Sequence, residues 1–158
     1  MLDRKIDKEE LKEYLSRCGP DTKIYLGCDS ERFRIKGEWH ADYMLCIVVH
    51  VNGNNGARIF GEVHRERIWD KNPKKPGMRL MNEVVKVANL FLEFSDVLED
   101  YDVEVHLDVN KSKSHASNII MQEALGYIRG VCMLEPKLKP DAWCASTAAD
   151  RLKSLKAA

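Results

Sequence analysis

The sequence predicts an α/β fold in which a mixed sheet of five strands carries helices on both faces. Three observations support this prediction. Three strand-like segments follow one another early in the chain, the connections between them are short, and helix-like and strand-like segments alternate afterwards. Short connections make neighbouring strands antiparallel, whereas strand–helix–strand crossovers make them parallel. With 158 residues, the chain fits a single domain over residues 1–158.

The first half of the chain contains a short helix and three strands. Residues 7–16 begin with acidic side chains and favour a helix that ends near a Cys-Gly-Pro sequence. Apolar runs rich in β-branched residues predict strands at Thr22–Cys28, Tyr43–Val51 and Ala57–Ile68. The sequence NGNNG between the last two predicts a turn of the Asn-Gly type.

The second half alternates helices and strands. Apolar residues at helical spacing predict a helix over residues 78–95 whose apolar side packs on the sheet. A strand is predicted at Asp102–Val109, a second helix at residues 115–129 and a fifth strand at Val131–Leu134. A last helix is predicted at Asp141–Leu155. The order β-β-β-α-β-α-β-α therefore predicts the mixed sheet.

The composition limits the class of function. Lys plus Arg and Asp plus Glu both count 25, so the formal net charge is zero and predicts no global attraction to nucleic acid or membranes. No run of about 18 apolar residues occurs, and the charged N-terminus lacks the apolar region of a signal peptide. The five cysteines contain no CxxC pair, which favours reduced thiols. We therefore expect a cytoplasmic protein without membrane contact.

Two aspartates follow apolar strand segments. Asp29 comes directly after IYLGC, at the carboxyl end of the first predicted strand, and Asp108 lies near that of the fourth. In such sheets reactive groups collect at the carboxyl ends of the central strands. If these two strands are adjacent and parallel, about 4.8 Å apart, the carboxylates meet at one edge of the sheet. Converging carboxylates repel each other and favour a cation such as Mg²⁺, which prefers oxygen ligands.

Two further acids are candidate helpers. Glu83 lies outside the polar stripe of its helix, at the margin of the apolar side, so its carboxylate is oriented inward or obliquely. Asp150 lies in the last predicted helix. Each acid also has a structural interpretation. Asp favours turns after strands, Glu83 fits a salt-bridged or snorkelling acid, and Asp150 fits a capping-box-like pair with Thr147. The metal-site hypothesis therefore rests on the joint placement of the acids.

Four segments of the sequence carry a family resemblance. They are IYLGCDSE, NEVVK, VHLDVN and KLKPDAWCASTAADRLK, and they run from about Ile24 to Lys153. In content and order they resemble the YkuK-like family of bacterial and phage proteins in the ribonuclease H-like superfamily. The resemblance implies the ribonuclease H-like version of the mixed five-stranded sheet.

The resemblance also implies a metal-dependent nuclease. Two Mg²⁺ or Mn²⁺ ions about 3.5 to 4 Å apart can position an attacking water and stabilise the leaving oxygen of a phosphodiester. The implied substrate is nucleic acid, either DNA, RNA or a hybrid. Lys139 would lie near the scissile phosphate and join the catalytic residues. The implied metal ligands, which are also implied catalytic residues, are Asp29, Glu83, Asp108 and Asp150.

Two other functions remain open from the sequence. A catalytically inactive module of the same fold could bind nucleic acid or a host protein, since fold does not guarantee chemistry. A small-molecule phosphatase could use the same acids. A local excess of basic residues around Trp69, in the segment HRERIWDKNPKKPGMR, is either a phosphate-binding patch or a solvated loop.

Overall fold

The computed structural model describes residues 5–51, 56–69, 77–110, 115–139 and 141–144. Three helices and five strands lie within these ranges. In chain order they are α1 (Lys8–Ser16), β1 (Lys23–Ile35), β2 (Glu38–His50), β3 (Ala57–Arg67), α2 (Gly77–Leu98), β4 (Asp102–Asn110), α3 (His115–Cys132) and β5 (Lys137–Lys139).

The five strands form one mixed sheet in the order β3-β2-β1-β4-β5. β1 pairs antiparallel with β2, and β2 with β3, whereas the pairs β1–β4 and β4–β5 are parallel. A two-residue turn, Lys36–Gly37, joins β1 to β2 with positive φ at both residues (50° and 82°), which suits the twist of a hairpin. The predicted arrangement of three antiparallel strands followed by parallel βαβ units is confirmed.

The hairpin of β1 and β2 is longer than the sequence predicts. The predicted first strand ends at Cys28, but β1 continues to Ile35, and β2 begins at Glu38 rather than Tyr43. The additional residues are mostly polar, so they lack the apolar run that predicts a buried strand. They pair across the hairpin as far as Ile35 and Glu38. The prediction that Asp29 lies past the carboxyl end of its strand is therefore wrong, because the strand continues through it.

The predicted fifth strand at Val131–Leu134 is also wrong. Helix α3 continues through this region to Cys132, and Met133 then takes a positive φ of 58°. Ile128 and Cys132, one helical turn apart, are both buried in the core, so the apolar run continues the buried side of the helix. A short apolar run cannot by itself distinguish these two structures. The fifth strand is instead Lys137–Lys139.

One hydrophobic core lies between the sheet and the three described helices. Buried residues from α1, α2 and α3 pack there against alternate residues of the central strands, such as Leu26 and Ile47. A smaller cluster on the opposite face contains Tyr25, Cys46 and Cys144. The predicted helix that would cover this second face, residues 141–155, lies outside the described residues from position 145 onwards.

Two hydrogen bonds fix the segment at residues 141–144 against the sheet. The backbone N–H groups of Trp143 and Cys144 both donate to Nδ1 of the buried His106 in β4, at 3.2 and 3.3 Å. The five cysteines are free. Among the described residues, no helix combines the length and apolar character needed to cross a membrane.

Candidate metal centre

Two aspartates lie where β1 and β4 cease to pair. The parallel pairing of these strands ends at Gly27 and His106, so Asp29 and Asp108 each lie two residues beyond the last pair. Side chains two residues apart point to the same face of a strand. The two aspartates therefore emerge side by side at the end of the parallel pair, which is the relation that the sequence predicts for them.

Glu83 joins these aspartates from helix α2. One oxygen from each of Asp29, Glu83 and Asp108 can be chosen so that all three lie within 4.8 Å of one another. Helix α2 places Glu83 beside Val84, which is buried in the core against the sheet. Glu83 is only 8 % exposed, which agrees with the inward orientation predicted from its position on the helix.

Ser30 orients two of the acids. Its Oγ donates a hydrogen bond to Glu83 Oε2 at 3.0 Å, and its backbone N–H donates to Asp29 Oδ1 at 2.9 Å. The other Glu83 oxygen, Oε1, is buried and has no hydrogen-bond partner among the described residues. A buried acceptor without a partner is costly. Its position beside two more carboxylates suits a metal ligand.

Burial and neighbouring charge perturb the ionisation of Glu83. Burial raises the pKa of Glu83 to about 8, and the charges of Asp29 and Asp108 act in the same direction. The hydrogen bond from Ser30 and the charge of Arg79 oppose the rise. Three carboxylates so close together favour a bound cation, because the cation removes both the repulsion and the desolvation penalty. The donor set therefore fits a divalent ion of the hard, oxygen-binding type.

Lys139 supplies a positive charge at the centre. It lies at the end of β5, and its Nζ forms an ion pair with Asp108 Oδ1. The hydrogen bond to Asp108 raises the pKa of Lys139, and the charges of Asp29 and Glu83 add to the rise. The structure thus places Lys139 next to Asp108, one of the acids with which the family resemblance groups it.

Sequence reasoning missed two residues of this centre. Ser30 follows Asp29 directly in the DSE sequence, and a hydroxyl next to a candidate ligand is a signal that could have identified it. Arg79 precedes Glu83 by one helical turn, and positions four apart on a helix are neighbours. Its Nε and Nη1 are buried without a hydrogen-bond partner among the described residues.

The remaining predicted site residues have mixed outcomes. Asp150 lies outside the described residues, so its role stays a prediction. Within the predicted basic patch, Arg65 forms an ion pair with Asp42 and Trp69 is exposed. Residues 70–76 of that patch lie outside the described ranges. The metal-binding and catalytic roles of the acids that do meet also stay predictions.

Comparison with known proteins agrees with this fold. A family model described as ribonuclease H-like matches residues 8–154, which is nearly the whole chain. No curated protein matches the chain significantly, and neither does any solved structure. The match includes every element of the sheet and all the acids considered above. The chain therefore belongs to the ribonuclease H-like family, as its resemblance to the YkuK-like proteins predicts.

Proposed function

We propose that this protein is a divalent-metal-dependent nuclease that hydrolyses phosphodiester bonds of nucleic acid. The observation that carries the proposal is the convergence of Asp29, Glu83 and Asp108 within 4.8 Å. The two aspartates lie just beyond the point where β1 and β4 stop pairing with each other. The chain belongs to the ribonuclease H-like family. Family membership supports a nucleic-acid substrate, and the acids support metal-assisted hydrolysis.

The acids would hold the metal. Asp29, Glu83 and Asp108 are the proposed ligands, with Asp150 as a fourth, and the proposed cofactors are two Mg²⁺ or Mn²⁺ ions. When bound, such ions align a water with the phosphorus and stabilise charge on the leaving oxygen. Carboxylates suit these ions because both prefer oxygen donors.

Other residues of the chain would position the acids and the substrate. Ser30 holds Asp29 through its backbone N–H and Glu83 through its hydroxyl, and such support fixes ligand orientation. Lys139 places a positive charge beside Asp108 through their ion pair. We assign Lys139 a second role, in which its ammonium group contacts the phosphate once metal ions neutralise Asp108.

A cleavage assay tests the proposed function. Single-stranded DNA, duplex DNA, RNA and an RNA–DNA hybrid are incubated with Mg²⁺, with Mn²⁺ or with EDTA. We expect cleavage of at least one polymer with metal and none with EDTA, leaving a 5′-phosphate and a 3′-hydroxyl. Turnover of nucleotide monophosphates without cleavage of any polymer would identify a small-molecule phosphatase instead.

One observation favours a second candidate function, a catalytically inactive module that binds nucleic acid or a host protein. Lys139 already places a positive charge on Asp108, so part of the repulsion among the acids is neutralised without a metal. In this alternative the ion pair is structural and the centre has no need of divalent ions. The two candidates differ in whether Mn²⁺ binds to the native protein.

Titration of Mn²⁺ into the native protein and into a Lys139 variant separates the two candidates. If the protein is a nuclease, Lys139→Met should bind Mn²⁺ about tenfold more tightly than the native protein, a difference of ~1.4 kcal/mol, because the competing ammonium group is gone. Its cleavage rate should nevertheless fall. Isothermal titration calorimetry measures the affinity, and Lys137→Met, an exposed lysine on the same strand, is the matched control. Absence of Mn²⁺ binding to the native protein would favour the inactive module.

Three broader predictions accompany the proposed function. The free state of the five cysteines is the one expected in a reducing compartment and supports a cytoplasmic location. The bacterial or phage origin comes from the family resemblance. The single domain over residues 1–158 comes from the chain length.

A further inference from the structure

Three strands of the sheet extend beyond the acids as an arm. β1 loses its pairing with β4 after Gly27 but stays paired with β2, and β2 with β3, for several more residues. We define the distal arm as residues 30–42 and 64–69. Asp29 lies at its base, and the six steps from Asp29 to Ile35 cover about 20 Å. The arm therefore offers a surface next to the candidate metal centre.

We propose that Arg32 and Arg34 on the distal arm bind successive phosphates of one nucleic-acid strand and direct that strand to the acids. The inference rests on the proposed function, since it assigns the path of the substrate towards the same centre. It concerns the sugar-phosphate backbone and not the bases.

The two arginines continue a row that begins at Ser30, whereas Asp29 points to the opposite face of β1. Ser30, Arg32 and Arg34 alternate along β1 and therefore share one side of the strand. Ser30, the first of the three, contacts Glu83. Successive members of the row are about 6.7 Å apart along the strand. This step is similar to the separation of neighbouring phosphates in an extended nucleic-acid strand, so each arginine can meet its own phosphate.

A tryptophan holds both guanidinium groups in place. Trp39 lies directly opposite Arg34 in the β1–β2 pairing. The guanidinium carbons of Arg32 and Arg34 lie 5.1 and 4.6 Å from the centroid of its ring. Cation–π contact restrains two otherwise flexible side chains while leaving their N–H edges available to an anion. Less side-chain freedom is then lost when a phosphate binds.

Other arginines of the arm are already engaged. Arg65 donates two hydrogen bonds to the buried Asp42, at 2.8 and 3.0 Å, and Arg67 forms an ion pair with Glu38 at 3.3 Å. Arg32 and Arg34 are exposed, and neither has a carboxylate partner among the described residues. Guanidinium groups in this state bind phosphate through paired N–H donors.

The chemistry of the arm favours contact with the backbone over base stacking. The Trp39 ring is occupied by two cations and is partly buried, so it serves to position the arginines. Phosphate contacts fix the position of a strand without reading its sequence. A local pair of arginines also reconciles a nucleic-acid partner with the zero net charge of the chain.

A binding assay without metal tests the inference independently of cleavage. The affinity for a fluorescent single-stranded DNA oligonucleotide is measured by anisotropy in EDTA, over a range of KCl concentrations. For Arg32→Gln/Arg34→Gln we expect at least about tenfold weaker binding at low salt. The slope of log affinity against log salt should be shallower by about 1.4, since each phosphate contact on a single strand contributes about 0.7.

The matched control removes the same charge elsewhere. Lys12→Gln/Arg17→Gln changes two exposed residues, one in α1 and one directly after it. Helix α1 comes before β1 in the chain, so both residues precede the end of β1 opposite to the distal arm. We expect its affinity to stay within about twofold of the native value, with an unchanged salt slope. Thermal melting verifies that each variant is folded. An equal loss in the control variant would attribute binding to net charge and overturn the inference.

A second variant isolates the role of Trp39. Trp39→Leu retains both arginines, so we expect weaker binding with an unchanged salt slope, because the same phosphates are met by less restrained side chains. Unchanged affinity and slope in Arg32→Gln/Arg34→Gln, or no binding by the native protein, would overturn the inference. If that double variant loses binding but the native protein cleaves no polymer, phosphate binding by the two arginines stands and the proposed nuclease function fails.

Discussion

Asp29→Asn is expected to reduce the rate of nucleic-acid cleavage by at least about 1,000-fold, because it removes a charged ligand from the candidate metal centre while leaving the shape of the side chain. The same change should leave the metal-free fold intact or stabilise it. Asp29 raises the pKa of Glu83, so removing its charge relieves repulsion between carboxylates. Single-turnover cleavage with Mn²⁺ and thermal melting in EDTA measure the two effects.

Two further variants complete this experiment. Asp21→Asn makes the same chemical change at an exposed aspartate just before β1, and it should retain native activity. Asp108→Asn should lose activity to an extent similar to that of Asp29→Asn. Full activity in both Asp29→Asn and Asp108→Asn would disprove the assignment of these carboxylates. If a variant lost activity only to the extent that it was unfolded at the assay temperature, as thermal melting would show, its carboxylate would have a structural role only.

The metal-free protein is expected to lose stability as the pH rises from about 4.5 to about 8. Burial raises the pKa of Glu83 from its ordinary value of 4.5 to about 8, so the folded state retains a proton that the unfolded chain releases. The stabilisation that comes from this retained proton is complete below pH 4.5 and is lost as the pH rises through 8. The steepest slope from this single group is about 1.4 kcal/mol per pH unit. Urea unfolding at a series of pH values in EDTA measures it.

Variants and metal isolate the contribution of Glu83. Glu83→Gln should make the free energy of unfolding less dependent on pH. At pH 9 it should raise that free energy by roughly 1–3 kcal/mol. Glu93→Gln, at an exposed position of the same helix, should change neither. With saturating Mn²⁺ the native protein should instead gain stability towards pH 8, because the ion binds the ionised carboxylate. An unchanged profile in Glu83→Gln would show that other groups cause the dependence. The charged groups around Glu83 are Asp29, Asp108, Lys139 and Arg79.

The two experiments examine different aspects of the same centre. Loss of cleavage in Asp29→Asn reports the chemistry of the metal-loaded protein, whereas the pH profile of Glu83 reports the unfavourable energy of the metal-free centre. A centre that is destabilising when empty and stabilised by its ligand is typical of functional sites. A purely structural group of acids would give the second result without the first.

Sequence periodicity predicted most of the fold because the apolar pattern and the chain connectivity are both local properties. The apolar runs around Leu26 and Ile47, and the helical spacing around Val87, identify elements that are buried on one side. Their order then restricts the sheet to few topologies, because short turns and helical crossovers fix the direction of each strand. The positions of Asp29 and Asp108 at one edge follow from that topology.

The tertiary structure decided the features that depend on contacts between distant residues. The polar half of β1, which contains Arg32 and Arg34, is a strand because β2 pairs with it. It has no apolar pattern from which a strand could be predicted. The short apolar run Val131–Leu134 predicts a strand, but Ile128 and Cys132 pack in the core on one side of α3, so the helix continues to Cys132.

The sequence by itself determined that Asp29 and Asp108 share one edge of a mixed sheet, because strand order places them there. Only the tertiary structure decided which oxygens meet, that Ser30 orients two of the acids, and that Lys139 contacts Asp108. The physical reason is that side-chain distances depend on where strands stop pairing and how a helix rotates against the sheet. Those details arise from packing between residues far apart in the chain.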